Sequence, residues 1–171
     1  LMIRDVYCIF HYQLDDGVEA KMAMKDSLRI LEQRRAKALA MGSPRRLKEF
    51  RDAGVLNVRE RIDYLFDDGS FTEQGLLALP AREEDHDRAP GDGSVDGIGA
   101  IKGRLAVINA ADFSAMGASS AEVAGLKMTH SQRTAIENGI PLIMLCECSG
   151  GRIPDIMGAR GIHKTGEYFD L

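Results

Sequence analysis

The sequence predicts an α/β core preceded by a helical extension. Three observations lead there. The first 70 residues carry helical periodicity punctuated by start and stop signals. Two apolar runs at 94–101 and 105–110 are joined by a tight Lys102-Gly103-Arg104 connection. Twice, an apolar strand ends in a loop of very small residues with a helix predicted beyond it.

Taken in order, residues 1–17 are a mixed, partly extended start that closes on the turn signal Asp15-Asp16-Gly17. From about Val18 to Met41 the spacing predicts a helix, with Met24, Leu28 and Leu31 lining one face, Ala38 close to the same line, and Lys25, Arg29, Glu32 and Lys37 largely outside it. Gly42 stops it. Ser43-Pro44 restarts a helix, serine as N-cap and proline at the first helical position, and this runs to about Ala53. Asn57 and Glu60 form a capping box for a third helix, Val58 to Phe66, which buries Val58, Ile62, Leu65 and Phe66.

Past Phe71 the character changes. Residues 71–79 hold a short strand, and 81–93 read as a solvated polar loop. The two hairpin strands follow, with Val107 and Ile108 in a run apolar on both faces, as a covered sheet requires. Residues 113–120 form a small-residue loop, and Ser119 with Glu122 reads as a box-like start for a helix ending at Gly139. Leu142 to Cys146 is short enough to be a buried strand. Ser149-Gly150-Gly151 comes next, then a short helix near Pro154–Ala159.

The bulk properties exclude several function classes. Hydrophobic residues make up 44% and charged residues 28%, as in ordinary globular domains. A net charge of −4 gives no basic surface for nucleic acid and no polybasic membrane anchor. No apolar run reaches the ~18–20 residues that span a bilayer, and Leu1 to Phe10 is too interrupted for a signal peptide. Cys8, Cys146 and Cys148 read as reduced thiols of a cytoplasmic protein. They have no second pair or nearby histidine for a zinc site, and no metal is expected. Phosphate-loop, dinucleotide-binding and nucleophile-elbow motifs do not occur.

The strand–small loop–helix unit appears at Leu105–Ala110 with Met116-Gly117-Ala118-Ser119, and again at Leu142–Cys146 with Ser149-Gly150-Gly151. Glycine admits backbone angles that other residues resist and lets a ligand approach the main chain. Two adjacent glycine amides can donate to an oxygen on which negative charge develops. Removing one such donor costs about 3–4 kcal/mol of barrier. The same Ser-Gly-Gly string also serves as a plain turn.

An ordered set of motifs carries a resemblance to a family. Gln33 to Gly42 resembles its leading helix, and Val58-Arg59-Glu60-Arg61-Ile62-Asp63-Tyr64-Leu65-Phe66-Asp67-Asp68-Gly69-Ser70-Phe71 its early block. Gly91-Asp92-Gly93 with Asp96-Gly97-Ile98-Gly99 and Gly103-Arg104 is similar to its first hairpin. Asp112-Phe113-Ser114 with Gly117-Ala118-Ser119 and Glu122 matches the next loop, and Gly139-Ile140-Pro141-Leu142-Ile143 leading to Ser149-Gly150-Gly151 the strand and oxyanion loop. The family is the carboxyltransferase (beta) subunit of biotin-dependent acyl-CoA carboxylases, of propionyl-, acetyl-, methylcrotonyl- and geranyl-CoA type. The resemblance spans roughly residues 25–160, its N-terminal part only.

That resemblance implies a crotonase-like ββα spiral, truncated at Leu171: residues 1–17 unassigned, 18–70 a helical N-terminal extension, and 71–171 a partial crotonase-like domain. It implies transfer of a carboxyl group from carboxybiotin, on a separate carrier protein, to the α-carbon of an acyl-CoA. Gly150 and Gly151 are then the catalytic amide donors, and Gly117, Ala118 and Ser119 border the CoA site. The implied partners are acyl-CoA, the biotin carboxyl carrier and biotin carboxylase components, and further copies in a homo-oligomer, with no nucleic acid and no membrane. Three positions depart from the family. Arg152 follows Ser-Gly-Gly directly, where an alanine usually intervenes. Ala118 stands where glycine is common, and Asp52-Ala53-Gly54-Val55 replaces a basic stretch. The alternatives are a non-catalytic CoA-ester-binding or assembly module, and a different crotonase-fold enzyme using Glu122 or Glu147 as acid or base.

Overall fold

The structure, a computed structural model, describes residues 17–156. The unassigned start up to residue 16, and the predicted short helix beyond Ile156, lie outside the described residues. The chain divides into two compact units at Gln33/Arg34. The first contains most of helix α1, Gly17–Leu39. There Met24, Leu28 and Leu31, which share one apolar face, are all exposed. Periodicity marks which side chains share a face, but a face is buried only if something covers it.

The second unit begins with the end of α1, then α2 (Pro44–Asp52) and α3 (Val58–Leu65). Asn57 accepts from the N–H groups of Arg59 and Glu60, and Glu60 reaches back to the Asn57 N–H at 2.8 Å, completing the predicted capping box. Ser43 occupies the N-cap of α2, with Pro44 behind it, but its side chain makes no cap bond. The link before α2 is instead tied down by its backbone. Gly42 N–H donates to Ser114 Oγ, Ser43 N–H donates to Ser114 O at 2.8 Å, and a Cβ on Gly42 would lie 2.3 Å from that carbonyl.

The sheet order is β1 (Thr72–Gln74), β2 (Ser94–Ile101), β3 (Arg104–Ala111) and β4 (Leu142–Leu145). The first three strands are antiparallel neighbours, while β4 runs parallel to β3 with Val107 opposite Leu142. The β2–β3 turn uses Lys102 and Gly103 with positive φ, the backbone a two-residue hairpin demands. Asp67 accepts both turn amides, from Lys102 at 2.8 Å and Gly103 at 2.7 Å. Helix α4 (Glu122–Asn138) connects β3 to β4 and ends on left-handed Gly139; α5 (Ile153–Ile156) follows β4.

One side of the β2–β3 hairpin joins α3 in the core: Val58, Ile62 and Phe66 pack with Val95, Ala106, Ile108 and Ala110. Each large side chain buried there contributes about 1.5–3 kcal/mol. Phe66 stacks on Phe71 with centroids 5.6 Å apart. Val107 is fully buried too, as a sheet covered on both faces requires. Toward α4 the buried groups are polar. Asp96 accepts from Asn109 at 3.0 Å and from Ser131 at 3.3 Å, while the Lys127 ammonium donates to the carbonyls of Gly91 and Ser94. Burial raises the Asp96 carboxyl above its ordinary range against the pull of Lys127, and lowers Lys127 against the pull of Asp96.

The segment expected to be a solvated loop is partly interior. Asp85 and all of Pro90–Gly93 are buried. Gly91 and Asp92 adopt left-handed angles, so the turn folds inward beneath α4 and offers the Gly91 carbonyl to Lys127. Its charged composition hides this because the two buried carboxylates, Asp85 and Asp92, are paired with Arg88 and Arg152.

Candidate active site

The two small-residue loops meet. The first, after β3, begins at Asp112, whose carboxylate accepts from both the N–H and the hydroxyl of Ser114. Its backbone then turns through three consecutive left-handed residues, Met116, Gly117 and Ala118. Ala118 thus adopts angles that glycine takes more readily, at a cost of roughly 1–2 kcal/mol. The second loop, after β4, docks on the first. Ser149 N–H donates to Gly117 O at 2.9 Å, Ser120 N–H donates to Gly150 O at 2.9 Å, and Arg152 N–H donates to Ser120 O at 2.8 Å. These last two bonds make a parallel bridge between Ser120 and Gly151.

Two of the glycines are required by that docking. A Cβ at Gly117 would lie 2.6 Å from Ser149 Oγ and 2.9 Å from Ser149 Cβ, so only glycine lets the loops close. Gly150 has a φ of 134°, in the region glycine favours. Gly150 and Gly151 are both exposed. The Gly150 N–H points to Cys148 Sγ at 3.3 Å, a weak acceptor, and among the described residues the Gly151 N–H has no acceptor.

Behind the bridge lies a buried ionic cluster. Arg152 donates to Asp92 at 2.5 Å, to Ser119 Oγ at 3.1 Å and to Asp155 at 3.4 Å. The other Asp92 oxygen accepts from the Ala124 N–H at 2.9 Å, in the first turn of α4, where the helix dipole also favours an anion. Burial raises the Asp155 carboxyl above its ordinary range, with Arg152 opposing. Arg152 therefore holds the second glycine loop against the first loop, the interior turn and α4 at once. Ser119, expected to start α4, instead serves Arg152; the N-cap position belongs to Ala121.

A cleft of about 270 Å³ opens beside this junction. Ser94, Asn109 and Ala111 line it from the sheet, Ala118 to Ala121 from the first loop, and Met144 to Cys148 from the strand end. Ser94 Oγ itself is inaccessible to solvent and lies against the buried Asp96 carboxylate. Glu147 lines the cleft as well, but its carboxylate is engaged by Arg61 at 2.6 Å. Of the residues singled out from sequence, Ala118 and Ser119 line the cleft, Gly117 touches Ser149, and Gly150 and Gly151 sit at the bridge beside it.

Sequence reasoning missed Asp92 and the role of Arg152. The Gly91-Asp92-Gly93 string was a signal, since glycines flanking an acid allow a turn tight enough to bury it. The partner, 60 residues away, has no local signature.

Comparisons with known proteins bear on this arrangement. Residues 49–169 match the carboxyl transferase domain family. Over 151 residues the chain is 38% identical to the propionyl-CoA carboxylase beta chain of Cereibacter sphaeroides, covering 86% of this chain and 29% of that one. It is 31% identical to the methylmalonyl-CoA decarboxylase subunit alpha of Veillonella parvula, over 80% of this chain and 27% of the relative. Among solved structures, the transcarboxylase 12S hexamer with methylmalonyl-coenzyme A bound superposes with a TM-score of 0.74 at 28% identity, covering 84% of this chain and 28% of that chain. The geranyl-CoA carboxylase beta subunit of P. aeruginosa gives 0.63 at 26% identity, covering 87% and 28%. The chain thus spans under a third of the length of these relatives. Together with the two docked glycine loops on a mixed α/β sheet, the match over residues 49–169 establishes that this chain belongs to the carboxyl transferase domain family.

Proposed function

We propose that this chain is the N-terminal, acyl-CoA-binding part of a carboxyltransferase that moves a carboxyl group from carboxybiotin to the α-carbon of an acyl-CoA. The observation that carries the reading is the docking of the two glycine loops, which leaves the exposed Gly150 and Gly151 amides beside a cleft. The thioester oxygen of the acyl-CoA accepts from those two N–H groups, which stabilise the charge it gains when the α-carbon loses a proton. A thiol sulfur is a weak competitor for the Gly150 N–H, so the donor yields to a thioester oxygen at little cost. Gly117, Ala118 and Ser119 border the coenzyme, Ala118 and Ser119 from the cleft wall.

In this reading residues 18–70 are the helical extension and 71–171 a partial crotonase-like ββα domain, with the last helix of the extension, α3, sharing the domain's core. Carboxybiotin supplies the carboxyl group, delivered as a substrate by a carrier protein, and no residue of this chain is assigned to it. The partners are the biotin carboxyl carrier and biotin carboxylase components and further copies of the chain, in the cytoplasm. Among the described residues no helix is long and apolar enough to cross a membrane.

Titration calorimetry with acetyl-, propionyl- and a branched acyl-CoA tests the binding half of the proposal. At least one ester should bind, and Gly117→Ala, which forces Ser149 away, should weaken that binding by tenfold or more. If none of the three esters gives heat or displaces a fluorescent CoA analogue, the reading fails.

A further inference from the structure

A second cavity, of about 220 Å³, lies within the second unit and shares no lining residue with the cleft. The end of α1 forms one wall, residues 76–79 another, and Pro90 and Gly91 of the interior turn close it. Three ties hold these walls together. Gly91 N–H donates to Ala78 O at 3.1 Å, His86 Nε2 bonds to Pro80 O at 3.0 Å, and the Lys37 ammonium pairs with the Asp87 carboxylate. The lining is mainly apolar, from Ala38, Leu76, Leu77, Leu79 and Pro90. Leu77 and Leu79 are exposed. Water in such a hollow finds few partners, so an apolar group that replaces it is favoured. The charges around the cavity do not cancel. Lys37 and Asp87 neutralise each other, and His86 is engaged by Pro80. Arg34 also lines the cavity, and among the described residues its guanidinium has no hydrogen-bond or ion-pair partner. A guanidinium presents a planar fork that matches a carboxylate.

We propose that this cavity is a binding site for a small monocarboxylate with a short apolar body, distinct from the acyl-CoA cleft. Arg34 holds the carboxylate, and the apolar body lies against Leu76, Leu77 and Leu79. The one uncompensated cation selects a single negative charge. A phosphate dianion would bring a second charge beside Asp87 with nothing left to balance it. Size sets the length of the body. A cavity of about 220 Å³ has room for about seven waters at about 30 Å³ each, which is the space a chain of about six carbons with its carboxylate takes up. A whole coenzyme A ester is far too large. The inference does not rest on carboxyl transfer, because it uses only the cavity and Arg34.

The test titrates the full chain at neutral pH with hexanoate and with its neutral counterpart hexanamide, read by calorimetry and by the methyl NMR signals of the leucines. Hexanoate should bind at least tenfold more tightly than hexanamide and shift the signals of Leu76, Leu77 and Leu79. Arg34→Gln, at an exposed position, should remove most of that preference while hexanamide binding and far-ultraviolet circular dichroism stay as in the wild type. Leu77→Gln should weaken both ligands several-fold, and coenzyme A should displace neither. Equal affinity for the two ligands overturns the proposal, as does no binding at millimolar hexanoate or an Arg34→Gln chain that keeps the preference. Unchanged binding in Leu77→Gln overturns the placement of the apolar body. Displacement of hexanoate by coenzyme A overturns the separation of the two sites. Failure of every acyl-CoA to bind, with hexanoate still held by Arg34, defeats only the carboxyltransferase reading.

Discussion

Replacing Arg152 by methionine keeps the length of the side chain and removes its charge. In the folded protein the Arg152 side chain is 4% exposed and the Asp92 carboxylate is 0% exposed, so the variant leaves an anion in the interior without its cation. Breaking one partner out of a buried pair costs about 3–5 kcal/mol. Asp92 keeps the Ala124 N–H on its other oxygen, which places the cost near the lower end. The lost contact to the Ser119 hydroxyl adds about 1 kcal/mol. The expected loss is therefore about 3–4 kcal/mol, a large share of the ~5–15 kcal/mol that holds a domain folded. Urea unfolding followed by far-ultraviolet circular dichroism at pH 7 reads it as a lowered midpoint with an unchanged slope. Asp92→Asn removes the charge while tolerating the left-handed backbone, so the double variant should lose clearly less than the sum of the two single losses. A loss under about 1 kcal/mol for Arg152→Met, or strict additivity in the double variant, would refute the claim that this pair anchors the second glycine loop to the interior turn.

Two further outcomes test the scaffold. Ile62 is 1% exposed at the centre of the α3–hairpin core, so Ile62→Ala should destabilise by about 2–5 kcal/mol in the same unfolding assay. The backbone N–H groups of Gly103 and Lys102 hold the Asp67 carboxyl below its ordinary value of 3.8. A depressed folded-state value means that its stabilisation is present above the unfolded value and is lost as pH falls through the folded one. Asp67→Asn should therefore be less stable than the wild type at pH 6–7, and the difference should close below about pH 4.

Local signals in the sequence were sufficient for the elements themselves. Asn57 and Glu60 lie three residues apart, so the capping box is a property of that short segment wherever it is placed. The same holds for the Lys102-Gly103 turn and for Gly139, whose backbone angles follow from residue type and spacing. The two glycine loops could also be found in this way, because small residues between a strand and a helix stand out in one dimension. Where a face depends on a distant partner, the sequence was a poorer guide. Met24, Leu28 and Leu31 have the spacing of a buried stripe and are exposed. The acidic 81–93 stretch has the composition of a solvated loop, yet it buries Asp85 and Asp92.

By itself, then, the sequence determined the order of helices and strands, the α/β class and the family, because each rests on short-range pattern or on an ordered string of motifs. Only the tertiary structure decided that Gly117 must yield to Ser149, that Ser119 serves Arg152 instead of capping α4, and that Arg152 and Asp92 form one ion pair. Those facts depend on groups dozens of residues apart meeting where water is excluded. Charge pairing and close approach of backbones are properties of distance, and a linear pattern does not encode distance.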